Sequence, residues 1–296
     1  MGTSTDTPPL PLRIITFNIR YATTSPFPGE QPWAVRCPRI CAQLRFATTG
    51  RDASFICLQE ALHRQLLDVH ERLGPGWARI GVGRDDGLEA GEFSPVFYRA
   101  DAWECERART YWLSPTPEVP SRGWDAVLNR VVTVGRFRHR ASGAPVVVMS
   151  THFDHVGVVA REESAKLILR IAAAWAEGDD AAGASPRPAV FLGGDFNSKP
   201  EDAGYRTMTA PGSGMTDVMT RIPEERRYGN AMTYTSFDEP GKRPTRIDFL
   251  FARQANEVQF INFGALCNRF EDGVYLSDHR AVVADVEVPV RGIAPL

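Results

Sequence analysis

Short apolar runs rich in β-branched residues recur along the whole chain and constrain its fold more than any other feature. Examples are "LRIITFNI", "ASFICLQE", "PVVVMSTHF", "PAVFLGGDF" and "AVVADVEV". Such runs predict strands buried on both faces, because a strand with one face in water alternates apolar with polar residues. Helical patterns such as "PRICAQLRFATT" and "AREESAKLILRIAAAWAEG" lie between them. The sequence therefore predicts an α/β fold in which helices cover the sheets.

The length of the chain bears on its domain organisation. Its 296 residues, 43% of them hydrophobic, are enough for one large core or two modest ones. Neither an internal repeat nor a strong linker divides the sequence. We expect a flexible N-terminal arm over residues 1–11, rich in Thr, Ser and Pro, and a single domain over residues 12–296.

Overall charge limits the class of partner. The formal net charge is −2 and the isoelectric point is near 6.3, so the chain has no global basic field for tight binding of duplex nucleic acid. A polyanionic ligand must therefore be met by a local group of cations.

Membrane and targeting signals are weak. No apolar run has the length that spans a bilayer, and "MGTSTDTPPLPL" lacks the basic start and apolar middle of a secretory leader. We expect a monomer without stable membrane association. The compartment stays open between the cytoplasm and secretion with the leader removed.

Cysteine usage gives no metal-finger spacing, and the number of cysteines, five, is odd. Cys37 and Cys41 lie one helical turn apart. Two alternatives remain for them, a disulfide in a secreted protein or two free thiols, and free thiols are the default expectation.

Polar side chains that bind metal or phosphate stand where the apolar runs end. In α/β sheets ligands gather outside strand ends, so these residues are expected to share one site although they are far apart in sequence. Asp195 and Asn197, two residues apart, would point to one face of their strand. The set comprises Asn18, Glu60, His152, Asp195, Asn197, Asp248, Asp278 and His279.

The composition of this set indicates its chemistry. Four acids, two asparagines and two histidines without a cysteine suit Mg²⁺ or Mn²⁺ better than structural zinc. A metal held by carboxylates neutralises phosphate oxygens, and an imidazole held by a carboxylate is the usual base for attack by water. The sequence therefore predicts metal-assisted hydrolysis of a phosphoester.

Six short motifs carry a family resemblance. In chain order they are "FNIR", "LQE", "STHFDH", "GGDFN", "RIDFLF" and "LSDHRAV". Together they resemble the endonuclease/exonuclease/phosphatase superfamily, and the match extends over essentially the whole chain. The resemblance implies the deoxyribonuclease I-like fold, a four-layer α/β/β/α sandwich of two mixed sheets flanked by helices. It also implies cleavage of a phosphoester that depends on a divalent metal, Mg²⁺ with Mn²⁺ as a substitute, by a single catalytic domain.

The resemblance assigns roles at the metal first. Glu60 resembles the principal metal ligand of the family. Asn18 resembles the residue beside the metal and the phosphate, and Asp278 resembles a metal-site or supporting acid.

The catalytic roles follow from the same resemblance. Asp195 resembles the residue that orients or activates the attacking water, and Asn197 its phosphate-binding neighbour. His279 resembles the catalytic histidine, and Asp248 the carboxylate that holds it in its useful tautomer. His152 resembles a second histidine, which acts as proton donor or phosphate ligand in the deoxyribonuclease-like branch.

Five further residues are candidate substrate contacts. Arg20 and Arg130 resemble phosphate-binding arginines, and Glu92 resembles the partner of the second histidine. His155 either lines the pocket or caps the helix near Ala160. Trp124 either stacks on a base or sugar or packs its own loop.

The sequence is compatible with three functions. The leading hypothesis is a nuclease or phosphodiesterase that acts on single-stranded or short nucleic acid by in-line attack of water. The alternative is a phosphatase or phosphodiesterase of small phosphate esters, inositol phosphates or phospholipid head groups, since one fold serves many substrates. The third is a binding module without catalysis, which is disfavoured because none of the core residues is missing: Asn18, Glu60, Asp195, Asn197, Asp248, Asp278 and His279.

Overall fold

Two large mixed sheets form the centre of the computed structural model, which describes residues 8–177, 187–253 and 257–290. The strands of the first sheet, in spatial order, are β12 (Arg227–Gly229), β14 (Gln259–Ala265), β15 (Val282–Val288), β1 (Leu10–Asn18), β2 (Ser54–Gln59), β6 (Val96–Arg99) and β4 (Trp77–Ile80). Those of the second sheet are β11 (Met215–Asp217), β13 (Asp248–Arg253), β10 (Ala189–Asp195), β9 (Pro145–His152), β8 (Val131–His139) and β7 (Trp103–Trp112). A small third sheet pairs β3 (Ala61–Leu62) with β5 (Glu92–Phe93).

Helices lie on the outer faces of both large sheets. They are α1 (Trp33–Thr48), α2 (His63–Leu73), α3 (Val158–Glu177) and α4 (Ala203–Thr209), and three short 3₁₀ turns follow at Val218–Arg221, Glu224–Arg226 and Ser236–Asp238. Ile40 and Leu44 of α1 pack in one cluster with strands of the first sheet. Ile168 and Ala172 of α3 pack in another cluster with strands of the second sheet. The order of layers is helix, sheet, sheet, helix, which confirms the predicted four-layer fold.

Strand β1 shows why its sequence is apolar without alternation. Leu12 and Ile14 belong to the cluster between the two sheets. Ile15 and Phe17 belong to the cluster under α1 and α2. Because successive side chains of a strand point to opposite faces, a central strand in four layers needs apolar residues at every position.

The core between the sheets is anchored by aromatic rings. The ring of Phe55 lies 4.9 Å from that of Trp103 and 4.8 Å from that of Phe137, centroid to centroid. All three side chains are fully buried. Phe55 is on β2 of the first sheet, and the other two are on the second, so this contact joins the sheets.

Sheet register brings the polar strand ends to one edge. Strands β9 and β10 run parallel with His152 opposite Asp195, and β13 runs antiparallel to β10 with Asp248 opposite Asp195. In the other sheet β1 and β2 run parallel, and Asn18 ends β1 opposite Gln59, one residue before Glu60. A Cβ at Gly193 would lie 2.9 Å from the Cβ of Thr16, so glycine permits the two sheets to approach closely here.

Two sequence expectations can be compared with this fold. Strand β1 begins at Leu10, so the predicted arm over residues 1–11 is too long by two residues, since Leu10 and Pro11 pair with β15. Residues 1–7 of that arm lie outside the described residues. Cys37 and Cys41 are both on α1 as free thiols, with their sulfurs 4.0 Å apart. The single domain over residues 12–296 stays a prediction.

No helix within residues 8–177, 187–253 and 257–290 is long and apolar enough to cross a membrane.

Candidate active site

Glu60, Asp195 and His279 converge at the shared sheet edge. Each offers one potential metal-ligand atom, and these atoms all lie within 4.8 Å of one another. Asp195 and His279 are buried, whereas Glu60 is partly exposed, and its left-handed φ of 59° comes directly after the end of β2. The two carboxylates could hold a divalent cation, with the imidazole beside it.

Asn18 holds the two acids of this group in place. Its Nδ2 donates to Oε1 of Glu60 at 2.9 Å and to Oδ2 of Asp195 at 3.0 Å. Its Oδ1 accepts the backbone N–H of Arg20 at 3.0 Å. Asn18 is fully buried, so the amide is fixed by these contacts and acts on the acids by positioning them.

Asp278 lies beside this group and outside it. The side chain is buried, and Oγ of Ser277 donates to its Oδ1 at 3.2 Å. Burial raises the pKa of Asp278, and the nearby carboxylate of Glu60 raises it further, whereas His279 and Arg20 lower it. The structure thus groups Glu60 with Asp195 and His279, where the sequence prediction grouped it with Asn18 and Asp278 as metal residues.

His279 is held at one ring nitrogen and faces Asp195 with the other. Its Nδ1 lies 2.8 Å from Oδ2 of Asp248, and its Nε2 lies 3.6 Å from Oδ2 of Asp195. The ring of Tyr234 packs against the imidazole with 5.0 Å between centroids. Burial lowers the pKa of His279, but the carboxylates of Asp248 and Asp195 outweigh it and raise that pKa well above its usual value. The ring is therefore protonated in this arrangement.

The carboxyl groups of the site respond differently to burial. Burial raises the pKa of Asp195 to about 7, although His279 opposes the shift. Burial also acts to raise the pKa of Glu60, but the charge of Arg20 and the hydrogen bond from Asn18 outweigh it, so that pKa is lowered. Burial thus disfavours the charged form of Asp195 despite His279, and a cation next to Asp195 and Glu60 would favour that form.

His152 and Asn197 form a second contact at the same strand ends. Nδ2 of Asn197 lies 3.0 Å from Nε2 of His152 and also donates to the backbone oxygen of Phe153 at 3.0 Å. Nε2 of His152 lies 3.4 Å from Oδ2 of Asp195, and Nδ1 lies 3.9 Å from Oε2 of Glu92. Burial, with the charges of arginines nearby, holds the pKa of His152 well below its usual value. This imidazole is therefore neutral, in contrast to that of His279.

Arg20 and Arg130 add positive charge to the site. Nε of Arg20 lies 3.3 Å from Oε1 of Glu30, and its Nη1 lies 3.7 Å from Oε2 of Glu60. Nε of Arg130 lies 3.5 Å from Oδ2 of Asp154. Nη1 of Arg130 is buried without a hydrogen-bond partner among the described residues, so this atom is available to an anion.

Arg84 belongs to the site although sequence reasoning missed it. Its Nη1 donates to Oε2 of Glu92 at 2.6 Å, and the side chain is buried. Its backbone oxygen accepts hydrogen bonds from Nε1 of Trp112 at 2.7 Å and from Nδ2 of Asn129 at 3.3 Å. Arg84 stands in the loop sequence "GVGRDDG", where neither a strand end nor a periodic pattern marks it. An arginine between glycines and two acids was the one available signal.

Glu92 lies between Arg84 and His152. Burial raises the pKa of Glu92 to about 7, with Glu60 raising it further while Arg84 and Arg130 oppose the shift. Glu92, the predicted partner of the second histidine, lies 3.9 Å from His152. Arg84 lies closer to Glu92, at 2.6 Å.

His155 and Trp124 are the remaining two candidates from the sequence. Nδ1 of His155 lies 3.0 Å from Nη2 of Arg130, so His155 lines the arginine end of the site. The first turn of α3 is capped by Asp125, which accepts the N–H groups of Val159 and Ala160. Trp124 is in the loop before Asp125, partly exposed and with a left-handed φ of 51°.

A sequence model described as the endonuclease/exonuclease/phosphatase family matches residues 15–279, from within β1 to His279. The chain belongs to this family. The match includes every strand end that contributes to the cluster. Members of the family are hydrolases of phosphoesters.

Solved structures of bacterial family members superpose over nearly the whole chain. A family protein from Bacteroides thetaiotaomicron is 30% identical, covers 95% of this chain and 98% of its own, and has a TM-score of 0.82. A family protein from Bacteroides vulgatus is 34% identical, covers 94% and 99%, and has a TM-score of 0.80. A mannosyl-6-phosphatase from Bacteroides thetaiotaomicron is 30% identical, covers 93% and 99%, and has a TM-score of 0.81. Comparison with curated proteins finds no match.

Proposed function

We propose that this family member is a divalent-metal-dependent phosphoester hydrolase whose substrates are small phosphate monoesters. The observation that carries the proposal is the contact between two groups at one sheet edge. One is the potential metal-ligand group of Glu60, Asp195 and His279. The other is the set of buried arginines, two of which, Arg84 and Arg130, each have a nitrogen without a hydrogen-bond partner among the described residues.

The donor chemistry fits Mg²⁺, with Mn²⁺ as a substitute. Carboxylate oxygens of Glu60 and Asp195 would hold the ion, with His279 at the side of the group, and Asn18 keeps both carboxylates in place. The raised pKa of Asp195 supports this fit, because a buried carboxylate without enough positive charge near it gains from a cation. When bound, the ion would neutralise negative charge on the phosphate oxygens.

The protein's own residues supply the remaining chemistry. Asp195 would orient the attacking water beside the ion and accept its proton. The protonated ring of His279 would stabilise negative charge that develops on the phosphoryl oxygens, and Asp248 keeps that ring charged and oriented. Asn197 and neutral His152 would contact the phosphate from the other side of Asp195.

The charge balance favours a monoester over nucleic acid. A phosphate monoester carries about −1.5 to −2 charge at neutral pH, whereas each phosphate of a nucleic acid carries one negative charge. Arg20, Arg84 and Arg130 all lie buried at the site. The chain as a whole has a net charge of −2, so no global basic field favours a polymer. The relative described as a mannosyl-6-phosphatase, 30% identical to this chain, supports the same substrate class.

A substrate panel tests the proposal. Purified protein with Mg²⁺ would be given mannose 6-phosphate, bis(p-nitrophenyl) phosphate and a labelled single-stranded oligonucleotide, with His279→Ala as the control for contaminating activity. We expect inorganic phosphate from the monoester at a kcat/KM well above that for either diester. Cleavage of the oligonucleotide without hydrolysis of any monoester would overturn the proposal in favour of the nuclease hypothesis.

A further inference from the structure

Exposed apolar side chains lie in two short segments next to the arginine end of the site. Their exposed fractions range from 37% to 58%, although side chains of this kind are usually buried. Contiguous exposed apolar surface of this type marks a binding surface. We call this group the apolar rim, and its members are Trp124, Val127, Leu128, Val156, Val158 and Val159.

One buried carboxylate ties the two segments of the apolar rim together. Oδ2 of Asp154 accepts the N–H groups of Val127 at 3.2 Å and Leu128 at 3.3 Å. Oδ1 of the same residue accepts those of Val156 at 3.0 Å and Gly157 at 2.8 Å. Both segments are therefore fixed to the end of β9.

A second carboxylate joins the segments at the start of α3. Oδ2 of Asp125 accepts the N–H of Val159 at 3.2 Å, and Oδ1 accepts that of Ala160 at 2.6 Å. A Cβ at Gly157 would lie 2.7 Å from Oδ1 of Asp125, so a glycine is needed for the segments to come this close. The apolar side chains are thus presented on a backbone that hydrogen bonds hold in place.

The apolar rim is continuous with the phosphate-binding end of the site. Oδ2 of Asp154, which fixes the rim, also lies 3.5 Å from Nε of Arg130. Nη2 of Arg130 contacts His155, the residue directly before Val156, at 3.0 Å. Nη1 of Arg130 is buried and unpartnered among the described residues. A phosphate held by Arg130 would therefore have the rest of its molecule beside the rim.

We propose that the apolar rim binds the alcohol part of the substrate, and that this alcohol carries an alkyl or aryl group. The inference rests on the proposed function and narrows its substrate class, because a bare sugar would leave the rim in water. A single small molecule is the occupant, since Arg130 is 4% exposed and the phosphate must enter a buried position that the flat surface of a bilayer does not reach.

A homologous series of substrates tests the subsite. Ethyl, butyl, hexyl and octyl phosphate, each below its micelle concentration, would be hydrolysed by the full-length protein with Mg²⁺. We expect kcat/KM to rise with chain length, by up to about fourfold for each methylene group that the rim buries. Leu128→Ser and Val156→Ser, each at an exposed position, should weaken the dependence of kcat/KM on chain length. Leu67→Ser, at a similarly exposed leucine on α2, should keep it.

Binding is measured in parallel, so that failure of this inference can be told from failure of the proposed function. Calorimetric titration of ethyl and octyl phosphate should give tighter binding of the octyl ester, even if neither ester is hydrolysed. Absence of hydrolysis throughout the series would overturn the proposed function alone.

Three results would overturn the inference. The first is equal kcat/KM and equal affinity across the series. The second is a chain-length dependence that both serine variants retain. The third is co-sedimentation with phosphatidylcholine vesicles without any chain-length dependence, which would assign the rim to a lipid surface.

Discussion

Oδ2 of Asp248 lies 2.8 Å from Nδ1 of His279, which fixes the imidazole from a neighbouring strand. Asp248 begins β13 and stands opposite Asp195 in the sheet. The same ring therefore faces Asp195 with its other nitrogen, at 3.6 Å. The contact leaves one ring nitrogen for the chemistry and holds the other.

Loss of this pair should affect turnover more than folding. We expect His279→Ala to lower kcat for a phosphate monoester by about 10²–10⁴-fold, which is the usual contribution of a positioned acid or base. Asp248→Asn should lower kcat by a smaller factor, since the ring keeps its place but loses the charge that raises its pKa. Asp101→Asn, at an exposed acid paired with Arg99, is the matched control. An unchanged kcat in both active-site variants, with native circular dichroism, would contradict the assignment.

Arg84 should matter for substrate affinity although no sequence motif marks it. Arg84→Gln removes the 2.6 Å ion pair with Glu92 and a buried positive charge near the phosphate. A charged hydrogen bond is worth about 1.5–3 kcal/mol, so kcat/KM should fall by roughly 10- to 100-fold. Arg84→Lys keeps the charge but loses the planar guanidinium. Its kcat/KM should therefore lie between those of Arg84→Gln and the wild type.

The control for Arg84 is Arg64→Gln on α2. That arginine is largely exposed in an ion pair with Asp68 and should have no effect on kcat/KM. Equal kcat/KM for wild type and Arg84→Gln would show that Arg84 does not contribute to the site.

The contact between the sheets should dominate stability. Phe55→Ala removes a fully buried ring that packs on Trp103 and Phe137. A substitution of this kind costs about 3–5 kcal/mol in the free energy of unfolding. Urea denaturation measures this free energy. The control is Phe46→Ala, at the most exposed phenylalanine, whose free energy of unfolding should stay within about 0.5 kcal/mol of that of the wild type. A loss below about 1 kcal/mol for Phe55→Ala would contradict the proposed packing.

His139 gives a pH dependence that lies away from the active site. Its ring packs on Trp103 with 5.0 Å between centroids, and burial lowers its pKa below 6.5. The unfolded chain therefore binds a proton at His139 more readily than the folded protein does. The stability contributed by the neutral ring is present above pH 6.5 and is lost as the pH falls from 6.5 towards the lower folded pKa.

Thermal unfolding at a series of pH values tests whether His139 loses its stabilising effect as the pH falls. The difference in unfolding free energy between the wild type and His139→Gln should shrink below about pH 6.5. The difference isolates His139 from the other histidines of the chain. A difference that grows as the pH falls would contradict the lowered pKa.

The sequence predicted the layers and the meeting of the strand ends for a physical reason. A strand apolar at every position must be covered on both sides, as β1 is. Polar residues at the ends of parallel strands must share an edge, which brings Asp195 next to His152. Both features depend on local pattern and therefore can be read without coordinates.

Other features of the site depend on side-chain contacts made by loops, which pattern does not encode. Arg84 reaches Glu92 across a loop, and Asp154 ties together two segments that no periodicity connects. Asp278 lies outside the group that contains its neighbour His279. Successive side chains of an extended segment point in opposite directions, so adjacency to His279 does not fix where the side chain of Asp278 lies, and its role at the metal stays a prediction.

Dependence of turnover on a divalent ion is the most direct test of the central claim, that Glu60 and Asp195 hold one cation next to His279 and beside the bound phosphate. Protein freed of metal by a chelator and dialysis would be assayed for phosphate release from a monoester, with and without added Mg²⁺, for the wild type and Glu60→Gln. We expect no turnover without the ion, recovery with it, and a higher Mg²⁺ requirement in Glu60→Gln. Turnover that is unchanged after metal removal, or the same Mg²⁺ requirement in both proteins, would contradict the account.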